Sequence, residues 1–276
     1  MLSRRPRPIP IVKTKSIKCA LVCIAKDELL YIKEFIAYYL KLGFYKIIIY
    51  DNSDINELNF LNNSSVQVIH FPGNIKQLAA YEHFIKYLKH QYHYVAFFDI
   101  DEFLVLKRNT NINDFCVQHI SSGALGVNWY IFGNNGHTKY EPKGVLERFT
   151  KRSSIMDHHV KTIAKCSDLI KMKIHEPEKL RQGTYFKNIL GSKLELGCAF
   201  NFNKNDTIVQ LNHYFTKSDE ELQIKCNRGR ADLAENRKYE ENKIFLEFND
   251  VEDTLARDFM RRTLWDPHSK LLIKEI

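Results

Sequence analysis

The first hundred residues alternate short apolar runs with segments of helical period, and that rhythm narrows the fold more than any other feature. Cys19 to Ala25, Lys46 to Tyr50, Val66 to Phe71 and Tyr94 to Phe98 each read as a buried strand that stops at polar or turn-forming residues. After the first run, Asp27 opens a stretch in which Leu29, Ile32, Phe35, Ile36, Tyr39 and Leu40 share one side, and Gly43 supplies a stop. Pro72-Gly73 breaks the third run, and Ile75 to His90 reads as a second helix with Leu78, Tyr81, Phe84, Ile85 and Leu88 inward. Strand and helix in turn mean βαβ units, hence a largely parallel sheet with right-handed crossovers.

Beyond residue 110 the rhythm loosens. Ala124 to Phe132 reads as a strand, followed by the Gly/Asn-rich loop Gly133 to His137. Val145 to Thr150, Val160 to Ala164 and Thr207 to Leu211 give three further strands, while 175–205 is polar and without a clear period. Ser218-x-x-Glu221 is a capping box that opens a helix, and Asp250 to Leu264 reads as another, closed by Arg261 and Arg262.

A chain of 276 residues with 44% hydrophobic and 27% charged residues has the make-up of a globular protein large enough for one substantial core. The net charge of +8 tolerates anionic partners without choosing among them. None of the six cysteines forms a Cys-x-x-Cys pair, and Cys19 and Cys23 lie inside an apolar run, so reduced, buried thiols are expected. No apolar stretch reaches the length of a membrane span, and the basic first 18 residues lack a hydrophobic signal core. The expectation is a cytoplasmic protein. Arg4, Arg5, Arg7, Lys13, Lys15 and Lys18 leave room for peripheral contact with an anionic membrane, though a frayed, solvated tail is the simpler reading.

The chemistry-bearing residues follow the strands. Tyr94 to Phe98 runs into Asp99-Ile100-Asp101-Glu102, and residues at i and i+2 share a strand face, so Asp99 and Asp101 can converge on one hard cation. Lys26 and Glu28 follow the first strand, Asp51 the second, and Gln77 the third. In a parallel sheet these carboxyl-edge loops meet along one crevice, the expected nucleotide site. There is no Gly-x-Gly-x-x-Gly and no Gly-x-x-x-x-Gly-Lys, which disfavours dinucleotide and P-loop binding.

The series Ala25-Lys26-Asp27-Glu28, the Asp51 turn, Gln77 and Phe98-Asp99-Ile100-Asp101-Glu102-Phe103 resembles GT-A-fold glycosyltransferases of the family 2-like and family 92-like groups. Later stretches continue the likeness: Asn128 to His137, Val160 to Ile163, Asn212 to Ser218, Lys225, and Arg228 to Asp232. The resemblance implies an α/β, GT-A (Rossmann-like) fold, a mostly parallel sheet flanked by helices with a C-terminal helical extension. The corresponding division is a tail at 1–17, a glycosyltransferase domain at 18–232 and the extension at 233–276. Within the domain, 18–110 is the nucleotide-binding half and 111–232 the acceptor half.

The implied activity is metal-dependent transfer, with inversion, of a hexose from a nucleotide sugar, UDP-linked, to a glycan, glycoprotein or glycolipid. Asp99, Asp101 and His213 would hold Mn²⁺ or Mg²⁺, and Lys26, Glu28, Asp51, Gln77, Asp99 and Lys217 would bind the donor. Trp129, Tyr130 and His137 would face the acceptor, with Glu102 or Asp157 as candidate bases. Plainer readings stand beside these. Asp51 also reads as a turn residue, His213 as structural, Trp129 as core, Lys217 as a solvated face and Gly133 to His137 as a long turn, while His158-His159, next to the Val160–Ile163 strand, reads either as a pocket-lining pair or as a coincidental one. A sugar nucleotidyltransferase would carry a Gly-rich loop after the first strand, which is missing here. A non-catalytic glycan- or nucleic-acid-binding module is the other alternative. The dispersed basic residues do not favour nucleic acid, and no nucleic-acid partner is expected.

Overall fold

The computed structural model describes residues 17–262; most of the basic tail and the chain beyond Arg262 lie outside the described residues. In chain order the first elements are β1 (Cys19–Ala25), α1 (Ile32–Lys41), β2 (Lys46–Asp51), β3 (Val66–His70), α2 (Gln77–His83), β4 (Tyr94–Phe97) and β5 (Glu102–Leu106). Then come α3 (Ile112–His119), β6 (Ala124–Ile131), α4 (Val145–Arg148), β7 (Lys151–Arg152), β8 (Val160–Lys165), β9 (Leu169–Met172), β10 (Pro177–Leu180) and β11 (Phe186–Lys187). The chain continues through β12 (Val209–His213), α5 (Asp219–Asn227), α6 (Tyr239–Asn242), β13 (Val251–Glu252) and α7 (Leu255–Arg261).

The main sheet runs β3-β2-β1-β4-β8-β6-β12-β5, with β11 beside β6. Its first four strands are parallel, as the sequence rhythm predicts. The sheet as a whole is mixed, because β8 runs antiparallel to both β4 and β6, and β5 antiparallel to β12. It curls into a half-barrel in place of the mostly parallel, open sheet expected. Two antiparallel steps across β8 return β6 to the direction of β4, and β12 lies parallel to β6. The carboxyl ends of β1, β2, β3, β4, β6 and β12, and the starts of β8 and β5, therefore share one edge.

Strand alternation divides the core. Cys19, Leu21, Cys23 and Ala25 of β1 face α1 and a cluster built on Phe35, Tyr38, Tyr39 and Phe103, while Ala20, Val22 and Ile24 face α2 through Tyr81, Phe84 and Phe97. Tyr38 and Tyr39 donate to the carbonyls of Leu104 (2.7 Å) and Glu102 (2.8 Å), which fixes β5 directly behind the acidic turn. All six cysteines are free thiols and five are buried.

Three local expectations change. Val145 to Thr150 is not a strand: Val145–Arg148 is a single helical turn, with Glu34 of α1 accepting from the amides of Val145 (2.6 Å) and Leu146 (3.2 Å). A Cβ at Gly144 would overlap that carboxylate, so glycine permits the cap. The acidic turn does not end the fourth strand's structure but launches β5. The expected helix from Asp250 is split, with β13 paired to β7 before α7 begins at Leu255. The segment after residue 232 packs back on the domain: Phe259 meets Tyr38 edge to face and Lys41 donates to the Met260 carbonyl (2.7 Å). No helix among the described residues is long and apolar enough to cross a membrane.

Candidate functional site

A cleft of about 620 Å³ opens at the shared edge. Its lining includes Lys26 and Glu28 after β1, Asp99 and Asp101 after β4, and Trp129 from β6. Asp157 and His159 before β8, His213 at the end of β12 and Arg228 to Lys238 after α5 complete the wall. Three non-glycine residues with positive φ, Asp27, Ile75 and Lys217, sit in the loops that follow or precede these strand ends. Such conformations are uncommon outside glycine and gather at functional rims.

The acidic pair lies at the floor. The Asp99 carboxylate accepts from Gln77 Nε2 (3.1 Å) and Lys161 Nζ (2.8 Å); that of Asp101 accepts from Lys225 Nζ (2.6 Å), with His213 Nε2 at 3.6 Å from its other oxygen. Burial alone would raise the Asp101 carboxyl, but Lys225 and His213 outweigh it and hold it well below the usual range. Lys225 is itself lowered to about 8, since burial outweighs Asp101. The two shifts pull oppositely on the strength of the pair. The 2.6 Å contact and the low Asp101 pKa favour ionised partners at neutral pH, with desolvation, not weak pairing, responsible for the lysine. Burial also lowers His213, leaving a neutral imidazole whose Nδ1 is buried without a partner.

Glu28 is buried and accepts from Arg228, while its Oε2 has no partner. Gln77, the first residue of α2, bridges Tyr81 and Asp99. Lys26, Glu28, Gln77, Asp99, Asp101, Trp129, Asp157 and His213 are thus brought to one cleft. Five expected site residues are not. Asp51 is fully buried and spends both oxygens on the amides of Ser53 and Leu58, each at 3.0 Å, within its own turn. Glu102 is fully buried under the turn and accepts from the Asp99 amide (2.9 Å), out of reach of an acceptor. Tyr130 points to the face opposite Trp129, as strand alternation dictates, under the Arg152 guanidinium at 3.6 Å. His137 pairs with Glu141 (3.1 Å), and the Lys217 ammonium rests over the Tyr31 ring at 4.4 Å.

Of the imidazoles at this wall, His213 and His159 stood out in the sequence and His175 did not. Trp129 is 8% exposed and covered by His159 (stacked, 5.1 Å), His175 (5.2 Å) and His213 (4.4 Å), so it is no free platform. Burial and the neighbouring Lys161 push His175 down to about 3, leaving it neutral. Asp157 Oδ1 meets His159 Nδ1 at 2.6 Å, and burial, which would raise this acid, is outweighed by that hydrogen bond. Asp157, His158 and His159, all half-buried, place ligand atoms within 4.8 Å of one another, close enough to share a divalent cation. His175 lies in the polar stretch where the sequence carries no period. Lys161 did leave a signal: a lysine inside an apolar strand.

An α/β domain with an acid- and histidine-lined cleft at its strand ends defines a class of ligand-binding fold, and sequence comparison narrows it. Glycosyltransferase family 92 matches residues 19–251, and the chain belongs to that family. A glycosyltransferase family 92 protein of Oryza sativa subsp. japonica is 25% identical over 286 residues, covering 96% of this chain and 48% of its own length. The chain thus spans about half the length of that curated relative. Two solved structures are more distant. A 4-diphosphocytidyl-2C-methyl-D-erythritol synthase from Anaerococcus prevotii has 9% identity and TM-score 0.30 over 54% of this chain and 72% of its own. HddC from Yersinia pseudotuberculosis has 12% identity and TM-score 0.31 over 76% and 99%.

Proposed function

We propose that the cleft binds a UDP-linked hexose and transfers the hexose, with inversion, to a saccharide hydroxyl on a glycan, glycoprotein or glycolipid. The observation that carries this reading is that Asp99, Asp101 and His213 line one cleft with an arginine-rich wall, His213 within 3.6 Å of Asp101, in a family 92 chain. The donor set suits a hard divalent cation, Mn²⁺ or Mg²⁺: two carboxylates at alternate positions and a neutral imidazole whose Nε2 lies 3.6 Å from an Asp101 oxygen. Such an ion supplies Lewis-acid neutralisation of the leaving diphosphate.

The chain's own groups do the rest. Lys161 and Lys225 hold the two carboxylates in place and add positive charge at the cleft floor. Arg237 lines the cleft with no ion-pair partner among the described residues, so its guanidinium is free for phosphate oxygens. The unpartnered Glu28 oxygen suits a ribose hydroxyl or a base N–H. Asp157 fixes His159 through Nδ1 and leaves Nε2 open, and this pair receives the acceptor's proton. The hydroxyl oxygen then attacks the anomeric carbon as the UDP leaves from the opposite face.

UDP release from a set of UDP-hexoses, with Mn²⁺ or with chelator, tests the reading. Asp99→Asn and Asp101→Asn are expected to lower kcat/KM by at least about 100-fold, since electrostatic groups at a reacting centre carry effects of that order. Chelator-sensitive turnover that both variants retain would move the ion to Asp157, His158 and His159.

A further inference from the structure

The rings at the cleft wall do not stop there. His159 packs edge-on against Phe200 (4.7 Å), His158 stacks on Phe202 (5.1 Å, 28°), and Phe200 and Phe202 are 6.1 Å apart. A continuous aromatic path therefore leads from buried Trp129, through His159 inside the cleft, to Phe202, which is 73% exposed.

The loop that presents these phenylalanines is firmly pinned. Between them Asn201, 3% exposed, donates through Nδ2 to Asn128 Oδ1 (2.7 Å), and its carbonyl accepts from Asn128 Nδ2 (3.1 Å). Its own Oδ1 accepts from the Asn203 amide (3.1 Å), and its amide donates to the His158 carbonyl (2.8 Å). The Val160 amide donates to Ala199 (2.9 Å), at the start of β8. Buried amide networks of this kind leave the backbone little freedom. Two phenylalanines are thus held toward solvent by a rigid mount, where a loop free to fold inward would cover them.

We propose that the Phe200–Phe202–His158 shelf seats a pyranose ring of the acceptor and delivers its hydroxyl to the Asp157–His159 pair. The inference rests on the glycosyl-transfer reading and adds the place and chemical class of the acceptor. Continuity selects the occupant: the shelf shares His159 with the cleft, so what rests on it has its next atoms at the reacting centre. Ring faces carry negative charge density and a pyranose presents a face of weakly positive C–H groups. Asp157, half-buried at the margin, spends only Oδ1 on His159 and keeps its second carboxylate oxygen to accept from a hydroxyl.

The test is transfer from UDP-hexoses to a panel of free oligosaccharides ending in hexoses, N-acetylhexosamines or deoxyhexoses. Phe202→Ala, exposed enough to spare the fold, is expected to raise acceptor KM roughly five- to tenfold, the scale of one lost ring contact. UDP affinity and donor hydrolysis by water stay unchanged, and Phe202→Tyr restores the KM. An acceptor KM within twofold of wild type in both Phe202→Ala and Phe200→Ala overturns the shelf. So does a panel without any acceptor while the protein hydrolyses the donor, which would point to a polypeptide surface instead. Failure of the wild type to bind UDP at all sinks the parent reading and this one together, and is scored separately by that titration.

Discussion

Lys161 is fully buried on β8 with its ammonium 2.8 Å from Asp99 and 3.8 Å from Glu102. Burial alone would lower it, but the two acids outweigh burial and keep it protonated. Burial raises Glu102, in spite of Lys161, so the lysine's charge belongs chiefly to Asp99. Lys161→Met should destabilise the fold by about 1–3 kcal/mol, a cost moderated because a third of the Asp99 side chain is open to solvent. Urea unfolding measures it, and a loss below about 1 kcal/mol would mean that Asp99 is adequately solvated without the lysine. At this scale the sequence was readable where chemistry is local. Asp99 and Asp101 announce themselves by spacing after an apolar run. Their lysine partners stand 62 and 124 positions away and are joined only by strand order and by α5.

Among the elements, α5 ties stability to the site. Ser218 and Glu221 form the capping box the sequence predicts, and Glu221 also receives both guanidinium nitrogens of Arg148 at 2.7 and 2.9 Å. The same helix carries Lys225 to Asp101. Burial would raise Glu221, but the Arg148 and Ser218 hydrogen bonds outweigh it and lower it from 4.5 to about 2. A depressed carboxyl stabilises the fold fully above its ordinary value, and that contribution drains away as pH falls from about 4.5 towards about 2. Glu221→Gln should therefore lose ~3 kcal/mol at pH 7, with the gap to wild type narrowing to about half of that at pH 3. Denaturation at the two pH values checks this, and a gap equal at both would contradict it. The capping box was legible because it lies within four residues. The α4 turn was not, because its cap, Glu34, comes from α1 and Val145 to Thr150 is apolar enough to pass for a strand.

For the whole molecule, the strand–helix rhythm foretold the parallel half and the edge where ligands gather. It did not foretell that β8 and β5 would enter antiparallel, since a strand's direction is set by tertiary pairing and leaves no mark in its own residues. That reversal starts β8 at the shared edge and so brings Asp157 and His159 to Asp99 and Asp101. The Arg228–Lys238 wall was half visible: its first five residues carried the family likeness, while Arg237 lay in what read as an appended extension. Everything proposed for the cleft turns on a nucleoside diphosphate held at Asp99 and Asp101. Calorimetric titration of UDP into the wild type and Asp101→Asn, with Mn²⁺ and again with chelator, tests it most directly. Binding to the wild type is expected, removed by chelator and absent from the variant. Equal binding with chelator present, or unaltered binding by Asp101→Asn, would contradict it.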